Sequence, residues 1–313
     1  MLSLFLQTLS VTLPVFAMLF LGVLLKRFGQ IDDRFIHSAS GLVFNVSMPV
    51  MLFLAILHAD LEAALQPALL GYFALATLVG FALAWGWALW RCPRAERGVY
   101  VQGAFRGNNG IVGLALASSL YGSYGLSLGG VLGGVVILTY NSLAVLVLEF
   151  YNPNGKATPW GILKGILRNP LILGVLAAIP FAYRQVRLPQ WLATSGEYLA
   201  QLTLPLALIC IGGTLSLASL RASSGLALSA SLMKVLWLPL LATLGAWLCG
   251  FRHAELGILF LFFGSPTAAA SFVMARAAGA NHELAAAIIV ITTLLVVVTT
   301  NLGLFVLQWG GWI

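Results

Sequence analysis

Long apolar stretches separated by short polar segments follow one another along most of the chain. A helix of about 20 apolar residues crosses the roughly 30 Å hydrocarbon core of a bilayer. The pattern therefore predicts an all-α polytopic membrane protein with ten transmembrane segments. Their bounds are roughly 8–27, 35–57, 66–90, 98–121, 126–150, 163–183, 190–216, 225–250, 254–279 and 283–308.

The composition supports a membrane protein and gives no sign of a bound cofactor. Charged residues make up 8% of the chain, against about 25% in a typical soluble domain. The three cysteines lack metal or redox spacing, and the four histidines lie near segment ends. We therefore expect no metal site and no cofactor.

Lysine and arginine are unequally divided between the two sets of loops, which predicts an orientation. The set that we place in the cytoplasm carries ten: Lys26, Arg27, Arg34, Arg91, Arg94, Arg97, Lys156, Lys164, Arg168 and Arg221. The opposite set carries three: Arg184, Arg187 and Arg252. We therefore expect a protein of the bacterial inner membrane whose two termini both lie outside the cytoplasm. This placement also accounts for the net charge of +7 without a nucleic-acid partner.

The first apolar stretch is predicted to be a retained span. Its basic pair, Lys26 and Arg27, follows the apolar run, whereas a cleaved signal peptide carries basic residues before it.

Polar and helix-breaking residues recur at a fixed offset within the apolar segments. NVSMPVMLFL (45–54) resembles QLTLPLALIC (201–210), and GNNGIVGLALASSLYG (107–122) resembles GSPTAAASFVMARAAG (264–279). The two matches lie at nearly the same offset. Glycine and proline are common in membrane helices, so either match alone would be weak evidence.

The offset divides the chain into two halves, 1–155 and 156–313, of five segments each. Because five is odd, the second half is inserted upside down relative to the first. Inverted repeats with helices broken at corresponding positions are typical of secondary transporters.

At these positions the sequence resembles the auxin efflux carrier family, which includes bacterial malate and malonate permeases and plant auxin exporters. The matching pieces are FNVSMPVMLF (44–53), GNNGIVGLAL (107–116), LYG (120–122) and ARAAGANHELAAAIIVITTLL (275–295).

The resemblance implies the fold of sodium/proton antiporters and bile-acid symporters. In that fold, broken segments four and nine cross at mid-membrane inside a transport bundle formed by segments 3–5 and 8–10. Segments 1, 2, 6 and 7 form a scaffold that commonly dimerises, which implies a homodimer here. Transport in this fold is an elevator movement of the bundle.

Both breaks are visible in the sequence. Pro266 cannot donate a backbone hydrogen bond and frees the carbonyl of Phe262, while Gly264 tolerates the bend. Segment four departs from the family, which commonly has proline where this chain has Ala115. Segment four must therefore be interrupted by its glycines and asparagines alone, or it is less interrupted than in the family.

Uncharged polar residues inside the segments are the candidate substrate-binding residues, because an amide at the midplane is costly unless paired. Each also has a structural alternative, which is capping at the breaks or stabilising a kink in the scaffold. The candidates are Asn108, Asn109, Ser265, Pro266, Thr267, Asn45, Ser47, Gln201, Thr203 and Asn141.

Two cations inside segments are candidate electrostatic residues. Lys234 lies near the middle of segment eight, and Arg106 precedes the break of segment four. Lys234 either balances the carbonyl end of a broken helix or attracts an anion. Arg106 either acts at the break or extends to the membrane surface.

No aspartate or glutamate occupies the middle of a segment, where a proton antiporter of this fold would need one. We therefore predict a secondary carrier for a small organic anion, coupled to a proton or sodium or to neither. A sodium-coupled symporter and a membrane sensor without transport remain alternatives. An enzyme is disfavoured because the segments contain no paired carboxylates, no Ser/His pair and no metal cluster.

Overall fold

The computed structural model describes residues 2–57, 67–152, 167–186, 188–214 and 224–313. Four cations used to predict the orientation (Lys156, Lys164, Arg187 and Arg221) lie outside these residues. The described part of the chain contains thirteen α-helices: α1 (Leu2–Arg27), α2 (Asp33–Leu42), α3 (Met48–Leu57), α4 (Pro67–Arg91), α5 (Arg97–Phe105), α6 (Leu114–Phe150), α7 (Pro170–Tyr183), α8 (Gln190–Thr214), α9 (Ser224–Leu232), α10 (Leu238–Leu248), α11 (His253–Gly264), α12 (Ala270–Ala277) and α13 (His282–Trp309).

Five helical stretches in the described ranges are long and apolar enough to cross a membrane. They are Asp33–Leu54, Pro67–Arg91, Gln190–Thr214, Gly225–Leu248 and His282–Trp309. The prediction of an all-helical protein that crosses the membrane several times is confirmed. The arrangement of ten segments as an inverted repeat stays a prediction.

Polar side chains cap several helices where the apolar stretches begin. Asp32 accepts a hydrogen bond from the amide of Phe35 at 2.7 Å, and Asn281 accepts one from Leu284 at 3.0 Å. Asn169 does the same ahead of α7. These caps satisfy amides that the first helical turn leaves without partners.

Gly122 divides α6 into two arms without an intervening loop. Its φ of 59° and ψ of −137° are not helical, and residues other than glycine rarely adopt this backbone conformation. The predicted end of segment four at residue 121 thus coincides with a backbone reversal.

Two π-helical turns, Val43–Ser47 and Met233–Trp237, interrupt otherwise continuous helices. Pro49 and Pro239 follow them closely. Proline cannot donate to the carbonyl four residues earlier, and the wider turn redistributes the backbone hydrogen bonds around it. The second π-turn carries Lys234.

The helices pack as two groups. Helices α1, α2, α3, α7 and α8 contact one another, with extensive packing of α1 on α8 and of α3 on α7. Helices α4 to α6 and α9 to α13 form the second group, and α12 packs on α2 and α8 at the boundary. We call these the first and second helix groups.

Candidate functional site

Two helices of the second group are interrupted at the same place. Helix α5 ends at Phe105, and Arg106 is extended with φ −81° and ψ 114°. Helix α11 ends at Gly264, and Ser265 is extended with φ −60° and ψ 148°. The breaks predicted in segments four and nine are both present.

The two interrupted backbones pair with each other. The amide of Asn108 donates to the carbonyl of Pro266 at 2.7 Å, and the amide of Ala268 donates to the carbonyl of Arg106 at 3.3 Å. Gly107 and Thr267 form an antiparallel bridge between these bonds. Non-helical backbone survives at membrane depth only where its polar groups find partners or face a wet cavity. We call Arg106–Asn109 with Ser265–Ala268 the crossover.

Asn109 is held at the crossover by two side chains. The hydroxyl of Ser265 lies within hydrogen-bond distance of the Asn109 amide oxygen and of the Phe262 carbonyl. Because a hydroxyl carries a single proton, it serves one of these acceptors at a time. The Asn109 amide nitrogen donates to the Tyr140 hydroxyl at 3.5 Å.

Thr267 fixes the other side of the crossover. Its hydroxyl donates to the Gly103 carbonyl at 2.7 Å, and its amide donates to the hydroxyl of Thr292 on α13 at 3.1 Å. Sequence reasoning did not select Tyr140 or Thr292. Both sit beside another polar residue inside an apolar segment, Tyr140 next to Asn141 and Thr292 next to Thr293.

Arg106 is buried and does not extend to the membrane surface. Its guanidinium donates to the Asn141 side-chain oxygen at 2.8 Å and contacts the Met274 sulfur. Gln102 also donates to that sulfur, at 3.4 Å. Among the described residues, no aspartate or glutamate is buried, so the guanidinium has no carboxylate partner there. Arginine keeps its charge in proteins.

Lys234 lies at the broken end of α11. Its amino group donates to the Phe263 carbonyl at 2.6 Å, and the side chain is 1% exposed. A cation at a helix C-terminus opposes the partial negative charge of the last carbonyls. This contact corresponds to the first of the two roles predicted for Lys234.

Among the described residues, none of the first-group candidates has a hydrogen bond to the crossover. Asn45 is exposed, and its amide donates to the Gly41 carbonyl in its own helix at 2.9 Å. Gln201 is exposed. Ser47 and Thr203 are buried, and their hydroxyls have no hydrogen-bond partner among the described residues. For Asn45, this geometry corresponds to the kink-stabilising alternative.

The prolines of the two matched stretches also behave differently. Pro49 follows a π-turn, whereas Pro205 lies inside the uninterrupted helix α8. The similarity between 45–54 and 201–210 therefore does not extend to the local backbone.

A cavity of about 270 Å³ lies between the two helix groups and reaches Met274. Phe44 and Asn169 line it from the first group, and Glu149 and Met274 line it from the second. Since Met274 contacts Arg106, the cavity ends one side chain away from the crossover. In the described ranges, no cluster of three or more His, Cys, Asp or Glu residues could hold a metal ion.

Comparison with known proteins gives consistent results. The sequence model of a family described as membrane transport protein matches residues 9–159 and 160–303. An uncharacterized transporter of Methanocaldococcus jannaschii is 25% identical over an alignment of 320 positions, and this alignment covers 97% of this chain and 98% of that protein. An uncharacterized transporter of Methanothermobacter thermautotrophicus is 26% identical over 275 residues, covering 87% of this chain and 89% of that protein.

Proposed function

The chain belongs to this family of membrane transport proteins, the family of the auxin efflux carriers, and from that premise we propose that it is a secondary carrier for a small organic anion. The family and the apolar helices make it a multi-pass membrane transporter. A transporter family gives no support to an enzymatic role.

The burial of the Arg106 guanidinium is the main support for an anionic substrate. A buried guanidinium at the crossover has amide and thioether partners but no carboxylate among the described residues. A cation at this depth is costly unless it is paired. A carboxylate substrate would supply the missing negative charge and would accept the guanidinium's parallel N–H donors.

The proposed transport mechanism is an elevator movement of a bundle along a scaffold. We assign the first helix group to the scaffold and the second to the bundle, in ten segments related as inverted halves 1–155 and 156–313. Two findings support this assignment: the breaks pair with each other inside one group, and a cavity follows the boundary between the groups.

We propose that the substrate contacts the crossover side chains next to that cavity. Asn108 and Asn109 are the foremost candidates, with Asn141 beside Arg106. The Asn109 amide is engaged by Ser265 and Tyr140 in the present arrangement, so substrate binding would require one of these contacts to yield. The backbone of the site is shaped by Ser265, Pro266 and Thr267. On the scaffold side, the candidates with buried hydroxyls are Ser47 and Thr203.

Sodium coupling is the alternative within the same class. It would use Asn141 and backbone carbonyls as ion ligands. The Asn141 oxygen instead accepts a hydrogen bond from Arg106 at 2.8 Å, and a guanidinium at that oxygen repels a metal cation. We therefore favour an anion carrier in which sodium does not bind at Asn141.

The proposal also includes the orientation and the assembly. The protein lies in a bacterial inner membrane with both termini on the side facing away from the cytoplasm. Two copies associate through the scaffold. The cavity that reaches Met274 then opens toward the cytoplasmic side, because Arg168 and Glu149 line it and lie at predicted cytoplasmic ends.

Uptake of radiolabelled malonate into proteoliposomes tests the function, with and without a sodium gradient and against protein-free liposomes. We expect saturable uptake that the sodium gradient does not change. Asn109→Ala should weaken malonate affinity while leaving the folded yield intact. Stimulation by the sodium gradient would favour the symporter, and absence of flux for mono- and dicarboxylates would favour the sensor.

A further inference from the structure

A second cavity, of about 220 Å³, lies inside the second helix group. Its lining comes from α4, α10, the π-turn Met233–Trp237 and single residues of α5, α6 and α11. No described residue of the first helix group lines it. This cavity is therefore distinct from the one between the groups, and we call it the lateral pocket.

The lateral pocket has a polar inner end. Lys234 and Tyr140, which are 1% and 2% exposed, line it together with Thr77 and Tyr72. The Lys234 amino group carries three donors, and its contact with the Phe263 carbonyl occupies one. Among the residues that the structure describes, no carboxylate lines the pocket.

The mouth of the lateral pocket is aliphatic. Leu75, Val79, Leu83 and Leu241 line it, and each is about half exposed or more except Leu83, at 45%. On a protein embedded in a bilayer, exposed aliphatic side chains of this kind face lipid. The pocket thus runs from the lipid-facing surface to a buried amino group.

We propose that the lateral pocket binds an amphipathic carboxylate taken from the membrane, such as a fatty acid with a short chain. Its head group accepts hydrogen bonds from the Lys234 donors that the Phe263 carbonyl does not occupy, and it supplies the negative charge that the described lining lacks. Its chain lies along the aliphatic mouth. A hydrophilic dicarboxylate has no apolar part for that mouth and binds elsewhere.

The lateral pocket connects to the crossover through one side chain. Tyr140 lines the pocket and also accepts the hydrogen bond from the Asn109 amide. A carboxylate bound at Lys234 is therefore separated from Asn109 by the side chain of Tyr140. An occupant is expected to slow malonate uptake without competing for the malonate site.

Glycines of α4 provide a matched pair of variants for the test. A Cβ at Gly80 would meet only the Leu238 side chain, at 3.6 Å, which is an ordinary contact, so Gly80→Leu adds side-chain volume to the pocket wall beside Leu238. Gly86 lies on the same helix outside the pocket and has nothing within 4 Å of an added Cβ. Gly86→Leu is the control.

Binding of radiolabelled octanoate to the purified protein in nanodiscs is the measurement, with empty nanodiscs subtracted. We expect saturable binding that Lys234→Met weakens by about tenfold or more, the scale of a lost hydrogen bond to a charged group. Gly80→Leu should weaken it by a similar factor, because its side chain occupies space that the octanoate chain would use. Gly86→Leu should bind like the wild type, and methyl octanoate should not compete. Gly80→Leu should still take up malonate, which separates this test from that of the transport function.

Three results would overturn the lateral site. The first is octanoate binding that Gly80→Leu leaves unchanged. The second is equal competition by methyl octanoate, which would show that the carboxylate is not recognised. The third is displacement by malonate together with loss of binding in Asn109→Ala, which would place octanoate at the crossover.

Discussion

The two interruptions of the crossover are built differently, although each ends a half-helix beside a buried cation. In α11 the break contains Pro266, and Lys234 donates to the backbone carbonyl of Phe263. After α5 the break has no proline, and Arg106 donates to the side chains of Asn141 and Met274.

This difference separates two tasks. The Lys234 cation satisfies a helix end that the fold itself creates, so its contribution is to the unliganded protein. In the described part of the chain, the side-chain partners of the Arg106 cation are the neutral Asn141 and Met274, so a bound carboxylate improves its surroundings. We infer that Lys234 stabilises the crossover and that Arg106 gives it affinity for anions.

Removing the Arg106 charge should have the largest effect on transport. Truncating one partner of a buried, hydrogen-bonded charge pair costs about 2–5 kcal/mol, so malonate uptake by Arg106→Gln should fall by about thirtyfold or more. Glutamine retains an amide that can donate to Asn141, which limits structural damage. Arg91→Gln, at an exposed position stacked on Trp90, is the control. Wild-type uptake by Arg106→Gln would remove the electrostatic basis of the proposal.

Crowding the break after α5 should have the next largest effect. An added Cβ at Gly107 would overlap the side chains of Asn109 and Ser265. Overpacking of this kind costs about 1–3 kcal/mol, and uptake by Gly107→Ala should fall by about tenfold. Gly110→Ala is the matched control, since nothing lies within 4 Å of its added Cβ. Equal uptake by both variants would show that the close approach at Gly107 is unimportant.

Repairing the break in α11 should slow transport by a smaller factor. Pro266→Ala restores an amide that can donate to the Phe262 carbonyl and extend α11 across the gap. Turnover measured in proteoliposomes should fall several-fold with little change in folded yield. The control is Pro180→Ala, inside the uninterrupted helix α7. If Pro266→Ala transports at the wild-type rate, the proline does not keep the break open.

Outside the crossover, an asparagine substitution should do little. The Asn45 amide is exposed and bonds within its own helix. Asn45→Ala should change malonate affinity by no more than about twofold, the low end of a hydrogen bond's net contribution. A loss as large as that of Asn109→Ala would return Asn45 to the substrate site.

The positions of the breaks were predictable because they depend on local chemistry. Pro266 removes a donor wherever it lies in a helix, and the glycine and asparagine run around Gly107 weakens the helix of segment four. The all-helical membrane fold likewise follows from apolar segments of sufficient length.

The partners at the site were not predictable, because they come from distant parts of the chain. Ser265 meets Asn109 across 156 positions, and Arg106 meets Met274 across 168. Local similarity also failed to predict backbone detail, since Pro49 follows a π-turn and Pro205 does not. The burial of Arg106 depends on how α6 and α12 pack beside it, which its own segment does not encode.

The division of tasks between the two cations is tested most directly by measuring two quantities on Lys234→Met and Arg106→Gln. The quantities are the melting temperature of the unliganded protein and the affinity for malonate. Lys234→Met should lower the melting temperature, because the Phe263 carbonyl loses a charged donor worth about 1.5–3 kcal/mol, and should leave malonate affinity within about twofold of the wild type. Arg106→Gln should melt at the wild-type temperature or above and lose malonate affinity. The opposite pattern, with Lys234→Met defective in malonate binding and Arg106→Gln defective in stability, would contradict the account.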